Sequence, residues 1–236
     1  MDKDILTSVR SELLQNADEA TKTSAHRFFK EEIRVYGVKT AIVGKIAKKY
    51  FADIKRFDKD ELFALCEELL KSDYMEDSFI AFDWAYRLRK SYEPDDFRVF
   101  EGWLGKYVNN WAKCDTLCNH TIGSFIEQYP EYIDNLKAWA KSENRWLKRA
   151  AAVTLVLPAR KGRFLDDVLE IADLLLNDRD DLVQKGYGWM LKEAGKPHQG
   201  EIFSYVMKNK GTMPRTALRY AIEKMPQELK SRAMEK

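Results

Sequence analysis

Apolar positions recur along this chain with the period of an α-helix. After Asp58, they return at intervals of three and four residues and form a stripe of Leu62, Leu65, Cys66, Leu69 and Leu70, which is the spacing of a helix face that packs on a core. Further helix starts and ends are indicated by Pro94, Pro130, Pro214, Pro226, Gly195 and Gly211. No segment alternates at every second residue for long enough to indicate a strand. The pattern predicts an all-α protein of about twelve to fourteen helices.

One of these helices is expected to begin near residue 40. Thr40 precedes the apolar run Ala41-Ile42-Val43, and a threonine hydroxyl can cap the first turn, so we expect Thr40 to be the N-cap. Gly37 is expected to end the helix before it.

The chain also contains an internal repeat. Residues 144–155 and 180–191 lie 36 positions apart and share an order of polar, apolar, basic and small residues. Asn144 and Asp180 stand where N-caps belong, and Arg149 aligns with Lys185. The period is typical of HEAT-like helical pairs, so we predict a single domain over residues 1–236, a right-handed solenoid of such pairs with a concave binding groove. The alternative is two ordinary amphipathic helices with similar caps.

The composition is also typical of an all-α globular protein. Only 11 Gly and 6 Pro occur in 236 residues, too few turn residues for a β-sandwich or barrel. The 45% of hydrophobic residues can fill a core, which excludes disorder as the main description. No apolar run is long enough to cross a membrane, and the first residues do not resemble a signal peptide. Three cysteines favour the reducing cytoplasm over a disulfide framework.

The net charge of +2 hides an uneven distribution. The stretches 33–52, 145–163 and 202–222 contain basic residues and no acid, whereas acids gather in 58–68 and 166–181. In a solenoid, distant segments can line one face, and three basic stretches together would suit a phosphate backbone. The alternative is that each is a solvated helix face balanced by acidic neighbours.

The sequence contains no motif for a metal, a nucleotide or a nucleophilic serine. His26, His120 and His198 are isolated, and there is no glycine-rich phosphate loop. Cys114 and Cys118 lie four residues apart without further ligands, so we expect them to be buried small apolar groups. We predict neither a metal site nor a cofactor.

Trp111 and Asp115 are the chemical candidates. Four residues apart on a helix, they would project from one face, and a carboxylate beside an aromatic ring is suited to stabilising a developing cation. Alternatively, Asp115 caps a helix that starts near Thr116, and Trp111 is core. Trp189 is a further candidate, and it also has two interpretations. Gly186 and Gly188 either let a partner approach its indole closely or let helices pack tightly. Trp139 and Trp146 are assigned to packing.

Two segments carry a family resemblance. The run Ser142-Glu143-Asn144-Arg145-Trp146-Leu147-Lys148-Arg149-Ala150-Ala151 and the run from Val183 to Glu193 resemble the AlkD-like family of alkylpurine DNA glycosylases. The resemblance extends from Phe28-Phe29-Lys30 through Trp111 and Asp115 to the basic segment 215–224. It implies a monomeric HEAT-like solenoid that grips duplex DNA in a basic groove. It also implies a base excision repair enzyme that hydrolyses the N-glycosidic bond of cationic N3- and N7-alkylated purines.

The resemblance also implies roles for individual residues. Trp111 and Trp189 correspond to tryptophans that pack against the lesion-bearing nucleotide, and Asp115 to the catalytic carboxylate. Contacts to the DNA are implied for Arg149, Lys39, Thr40, Lys148, Lys192 and Phe28.

Two positions depart from the family pattern. Ala112 follows Trp111 where members often have a second aspartate, and Phe28 stands in place of a tyrosine. An alternative function is therefore a non-catalytic HEAT-repeat protein that binds damaged or branched DNA. A HEAT-type scaffold for proteins is a third possibility, although it would have little need of the basic stretches.

Overall fold

Sixteen α-helices follow one another along residues 3–235, the part of the chain that this computed structural model describes. They form two compact units, Met1–Leu117 and Cys118–Lys236. Within the described residues the β-structure is limited to an isolated bridge between Arg34 and Tyr74. The all-α fold class is confirmed, with more helices than expected because several segments divide at short turns. The single-domain organisation stays a prediction.

The first unit contains seven α-helices. They are α1 (Lys3–Gln15), α2 (Glu19–Phe28), α3 (Thr40–Ile54), α4 (Lys59–Leu70), α5 (Met75–Arg87), α6 (Asp96–Tyr107) and α7 (Trp111–Thr116). Helix α4 begins with a capping box, in which the Asp58 carboxylate accepts from Glu61 N–H at 2.8 Å and Glu61 accepts from Asp58 N–H at 3.2 Å. The apolar stripe of α4 is buried as predicted, and α5 packs against both α3 and α4.

A π-helical turn, Leu117–Ile122, follows α7. The second unit then contains α8 (Gly123–Gln128), α9 (Ile133–Ala140), α10 (Arg145–Val153), α11 (Val156–Arg160), α12 (Leu165–Leu175), α13 (Asp181–Ala194), α14 (Gln199–Asn209), α15 (Arg215–Ile222) and α16 (Gln227–Met234). Asn144 caps α10 and Asp180 caps α13, as predicted. The two repeat-bearing helices pack on each other, and α13 also contacts α11, α12 and α15.

The prediction for residues 37–40 is wrong. Helix α2 ends at Phe28, and Gly37 lies in the following loop with φ +92°. Lys39 occupies the N-cap position of α3, where no side chain caps the helix, and Thr40 is its first residue. The physical reason is tertiary, because the Glu76 carboxylate on α5 accepts from the backbone N–H groups of residues 36–38.

Several predicted core residues are buried. Trp139 and Trp146 are 4% and 9% exposed, so their assignment to packing is confirmed. Cys66, Cys114 and Cys118 are unbridged and buried, as expected for small apolar groups. None of the described helices is long and apolar enough to cross a membrane.

Candidate functional site

Trp111 and Asp115 lie on one short helix. Asn110 is the N-cap of α7, and its Oδ1 accepts a hydrogen bond from Lys113 N–H at 3.0 Å. Trp111 is the first residue of α7 and Asp115 lies in its last turn, and both are half-buried. Because Asp115 lies within α7, which continues directly into the π-helical turn at Leu117, the interpretation of Asp115 as an N-cap is wrong. The carboxylate therefore stands one helical turn from the indole.

An aromatic cluster surrounds the start of α7. The Trp111 ring stacks on Phe29 with centroids 5.1 Å apart and an interplanar angle of 11°, and Phe28 meets it edge-on at 5.8 Å. Phe28 is 69% exposed. Phe29 is not among the predicted site residues, although the Phe-Phe doublet in the sequence could have indicated it. The cluster gives Trp111 one face covered by protein and brings an exposed ring beside it.

An apolar cluster packs against Phe29 and against helix α7. Ile33, Val35 and Met75 form its buried part, and Phe29 and Ala112 pack against it. Ala112 therefore makes an apolar contact, and its side chain supplies no second carboxylate to α7.

Lys113 anchors α7 to the turn between α4 and α5. Its Nζ lies 2.6 Å from Asp73 Oδ1 and 3.1 Å from the Asp73 carbonyl oxygen. Burial lowers the pKa of Lys113, and the hydrogen bond and charge of Asp73 oppose that shift. Asn109 also donates to Asp73 Oδ1 at 2.9 Å. No pattern in the sequence indicates this contact, because residues 73 and 113 are distant in the chain.

The start of α3 carries two of the predicted DNA contacts. Lys39 and Thr40 are both exposed. The backbone before them is fixed by Glu76, whose Oε1 accepts from Gly37 N–H at 2.9 Å and from Val38 N–H at 3.0 Å. A helix start without a side-chain cap leaves backbone N–H groups directed outwards, where an anion can accept from them.

The basic stretch 145–163 is balanced by acids in the folded chain. Four of its cations pair with carboxylates of neighbouring elements, namely Arg145 with Asp180, Arg160 with Glu193, and Lys161 and Arg163 with Glu127. Lys148 also pairs, at 2.5 Å from Asp178 Oδ2. Arg149 is 5% exposed, and its Nη1 donates to the Leu182 carbonyl. For this stretch the alternative of balanced helix faces is correct.

Fewer cations of the other two stretches make ion pairs. Lys39, Lys45 and Lys48 are exposed and make no ion pair with residues 3–235. In the second unit, the exposed Arg215 and Arg219 on α15 also lack an ion-pair partner among the residues that the structure describes. Positive surface charge thus persists at α3 and at α15.

Trp189 and Lys192 lie on α13. Trp189 is half-buried. A Cβ at Gly188 would lie 2.8 Å from the Ala217 carbonyl oxygen, and one at Gly186 would lie 3.4 Å from Arg149 Cγ, so both glycines serve close helix packing. Lys192 pairs with Glu223 at 3.0 Å. Contact of Trp189 with a nucleotide stays a prediction.

Comparisons with known proteins agree on one relationship. A family model described as DNA alkylation repair enzyme matches residues 9–225. A solved structure described as a predicted DNA alkylation repair enzyme from Enterococcus faecalis is similar with a TM-score of 0.80 and 15% identity, over 90% of this chain and 98% of that one. At that identity the likeness concerns the fold. No curated protein sequence matches significantly.

Proposed function

Because the chain belongs to the family of DNA alkylation repair enzymes, we propose that it is a DNA glycosylase that hydrolyses the N-glycosidic bond of cationic N3- and N7-alkylated purines in duplex DNA. The observation that carries this proposal is the position of Asp115 one helical turn from Trp111, in a half-buried setting with Phe28 and Phe29 beside the indole. A carboxylate and aromatic rings together favour a positively charged reacting group.

The reaction follows from the charge of the substrate. An alkylated purine is cationic, so it leaves with the electron pair of the C1′–N bond as a neutral base and needs no general acid. The sugar that remains has oxocarbenium character at C1′. The Asp115 carboxylate stabilises that cation and accepts the proton of the water that attacks C1′. A preorganised group of this kind typically lowers the activation barrier by about 3–4 kcal/mol.

Binding to the DNA backbone is assigned first to Lys39 and Thr40. Both are exposed, and Lys39 makes no ion pair with the described residues. Lys148 and Lys192 are paired with Asp178 and Glu223, so contact with a phosphate requires each lysine to exchange its carboxylate partner. Arg149 is 5% exposed and donates to the Leu182 carbonyl, so the phosphate contact proposed for it requires its guanidinium to become accessible. We further propose a monomer that acts in the cytoplasm, where the three unbridged cysteines stay reduced.

One observation favours a second candidate, a non-catalytic protein that binds damaged or branched DNA. Ala112 packs on the cluster of Ile33, Val35 and Met75 and brings no second carboxylate to α7. If Asp115 alone cannot position water, the same surface would bind DNA without cleaving the glycosidic bond.

The release of 7-methylguanine and 3-methyladenine from methylated duplex DNA distinguishes the two candidates. We expect the protein to release both bases as free purines and to leave abasic sites. Tight binding of the methylated duplex without release would favour the second candidate. Methylated duplex DNA incubated without protein under the same conditions is the control, because these adducts also depurinate spontaneously.

A further inference from the structure

Phe29 joins the end of helix α2 to the start of helix α7. It is the C-cap residue of α2, where an extended backbone turns the chain away from the helix. Its half-buried ring stacks on the Trp111 indole with centroids 5.1 Å apart. The same ring packs against the apolar cluster of Ile33, Val35 and Met75. One side chain thus connects the indole to the buried interior of the first unit.

The position of Trp111 in α7 leaves its indole without support from its own helix. Side chains of a helix lean towards its N-terminus and lie over the preceding turn. Trp111 is the first residue of α7 and follows the N-cap Asn110, so no helical turn precedes it. The orientation of the indole therefore depends on contacts with other elements, and the rings of Phe28 and Phe29 supply two of them.

The two phenylalanines make different contacts with the indole. Phe28 is 69% exposed and meets both other rings edge-on, so its own position is weakly constrained. Phe29 lies face to face with the indole at an interplanar angle of 11°, and the apolar cluster supports its ring. Aromatic contacts of this kind favour one arrangement over its alternatives by roughly two- to tenfold. Phe29 is therefore the ring that can set the plane of the indole.

We propose that Phe29 is a positioning residue that fixes the plane of the Trp111 indole. Its ring covers one face of the indole, so the lesion-bearing nucleotide packs against the opposite face alone. A fixed indole plane limits the positions that the reacting C1′ can take relative to Asp115, which lies one helical turn away on the same helix. Phe29 acts through Trp111 and needs no contact with DNA of its own. This proposal rests on the proposed function and adds to it a residue that sets the geometry of the site before DNA binds.

The first test compares two substitutions at the same apolar cluster. Phe29→Leu keeps an apolar side chain but removes the ring that stacks on Trp111. We expect single-turnover base release from methylated duplex DNA to fall by about fivefold to tenfold, while the affinity for undamaged duplex stays unchanged. Phe79→Leu is the matched control, because Phe79 on α5 is also half-buried and packs against the apolar cluster. Its rate of base release should equal that of the unaltered protein.

Stability and a conservative variant complete this test. Urea denaturation should show losses of stability in both leucine variants, because each removes apolar contacts from the apolar cluster. Phe29→Tyr keeps a ring against the indole and should retain the rate of the unaltered protein. A role of Phe29 in packing alone predicts equal losses of rate in Phe29→Leu and Phe79→Leu, and that result would overturn the proposal.

The second test observes the indole directly and needs no DNA. The chain has six tryptophans, and Trp111→Phe identifies the Trp111 signal in the fluorine NMR spectrum of protein labelled with fluorotryptophan. In the unaltered protein this signal should be sharp and distant from its position in the unfolded chain in urea. Phe29→Leu should broaden the signal or move it towards the unfolded position, and Phe79→Leu should not. A sharp, distant signal in Phe29→Leu would show that the indole keeps one orientation without the ring and would overturn the proposal.

The outcomes also distinguish this proposal from the proposed function. If the unaltered protein and Phe29→Leu release base equally fast, the positioning role is overturned and the proposed function stands. If the unaltered protein releases no base, the glycosylase activity is overturned, and the preference for methylated over unmethylated duplex decides on Phe29. That preference should fall in Phe29→Leu, and an unchanged preference would overturn the positioning role. If the unaltered protein shows neither release nor preference, both proposals are overturned.

Discussion

The ammonium group of Lys113 lies 2.6 Å from the carboxylate of Asp73 and is almost completely buried. Asp73 itself has a left-handed backbone with φ +62°. This contact joins α7 to the turn before α5. Because Trp111 and Asp115 lie on either side of Lys113 in sequence, their positions depend on a residue 40 positions earlier.

Lys113→Met should weaken both the fold and the chemistry. Loss of the charged hydrogen bonds to Asp73 should lower the free energy of unfolding by about 1–3 kcal/mol, measured by urea denaturation. With α7 less firmly held, the rate of excision at saturating DNA should fall more than the affinity for DNA. Lys106→Met, at an exposed position of α6, is the control. Equal losses of stability and excision rate in both variants would contradict the role of the Lys113–Asp73 contact.

Asp115→Asn tests the catalytic assignment. The change preserves shape and removes the negative charge, so excision of a methylated purine should drop by roughly 10²-fold or more. Binding to undamaged duplex should persist or tighten, because a carboxylate repels nearby phosphates. Single-turnover base release and fluorescence anisotropy measure the two effects. Asp60→Asn, at an exposed position of α4, should change neither. Near-normal excision by Asp115→Asn would remove Asp115 from the mechanism.

Gly188→Ala should destabilise the second unit. The added Cβ would lie 2.8 Å from the Ala217 carbonyl oxygen and 2.7 Å from Tyr220 Cβ, and a helix backbone cannot move away without loss of packing. We expect the free energy of unfolding to fall by about 1–3 kcal/mol. Gly200→Ala, where a Cβ meets nothing within 4 Å, should leave stability unchanged or raise it. A stable Gly188→Ala variant would show that α13 and α15 tolerate wider separation.

Glu193→Gln should reduce the change in the free energy of unfolding between neutral and acid pH. Burial raises the pKa of Glu193, but the hydrogen bonds and charges of Lys196 and Arg160 outweigh it and lower the pKa below the usual 4.5. Such a carboxylate stabilises the fold above pH 4.5, and the stabilisation is lost as pH falls through the lowered pKa. The variant should therefore be less stable at pH 7, by about 1–2 kcal/mol, and approach the unaltered protein at an acid pH below the lowered pKa.

Urea denaturation at both pH values measures this effect. Glu228→Gln, at an exposed position of α16, is the control and should show no difference at either pH. A constant difference between Glu193→Gln and the unaltered protein across this range would contradict the role of charge.

Local features of the fold could be predicted from the sequence, because short-range contacts determine them. The stripe of α4 and the caps Asn144 and Asp180 depend on residues within a turn or two of each other. Tertiary contacts could not be predicted in this way. The sequence does not show that Asp178 neutralises Lys148, or that Glu76 turns residues 36–38 into a loop rather than a helix end.

The same division applies to the candidate site. The spacing of Trp111 and Asp115 predicted their shared helix, and the family resemblance added Phe28. The stacking of Phe29 on Trp111 joins residues that are 82 positions apart, and no periodicity in the sequence indicates it.

The three hydrogen bonds that Glu76 accepts from residues 36–38 have a consequence for how the first unit is assembled. The loop is completed by a side chain about forty positions later, so on the ribosome it stays open until α5 has emerged. Helix α2, which has no buried residue, has little to hold it before then. The segment that bears Phe28 and Lys39 therefore becomes ordered only after α5 has formed, and we expect a protease to cleave it early when the unit loosens.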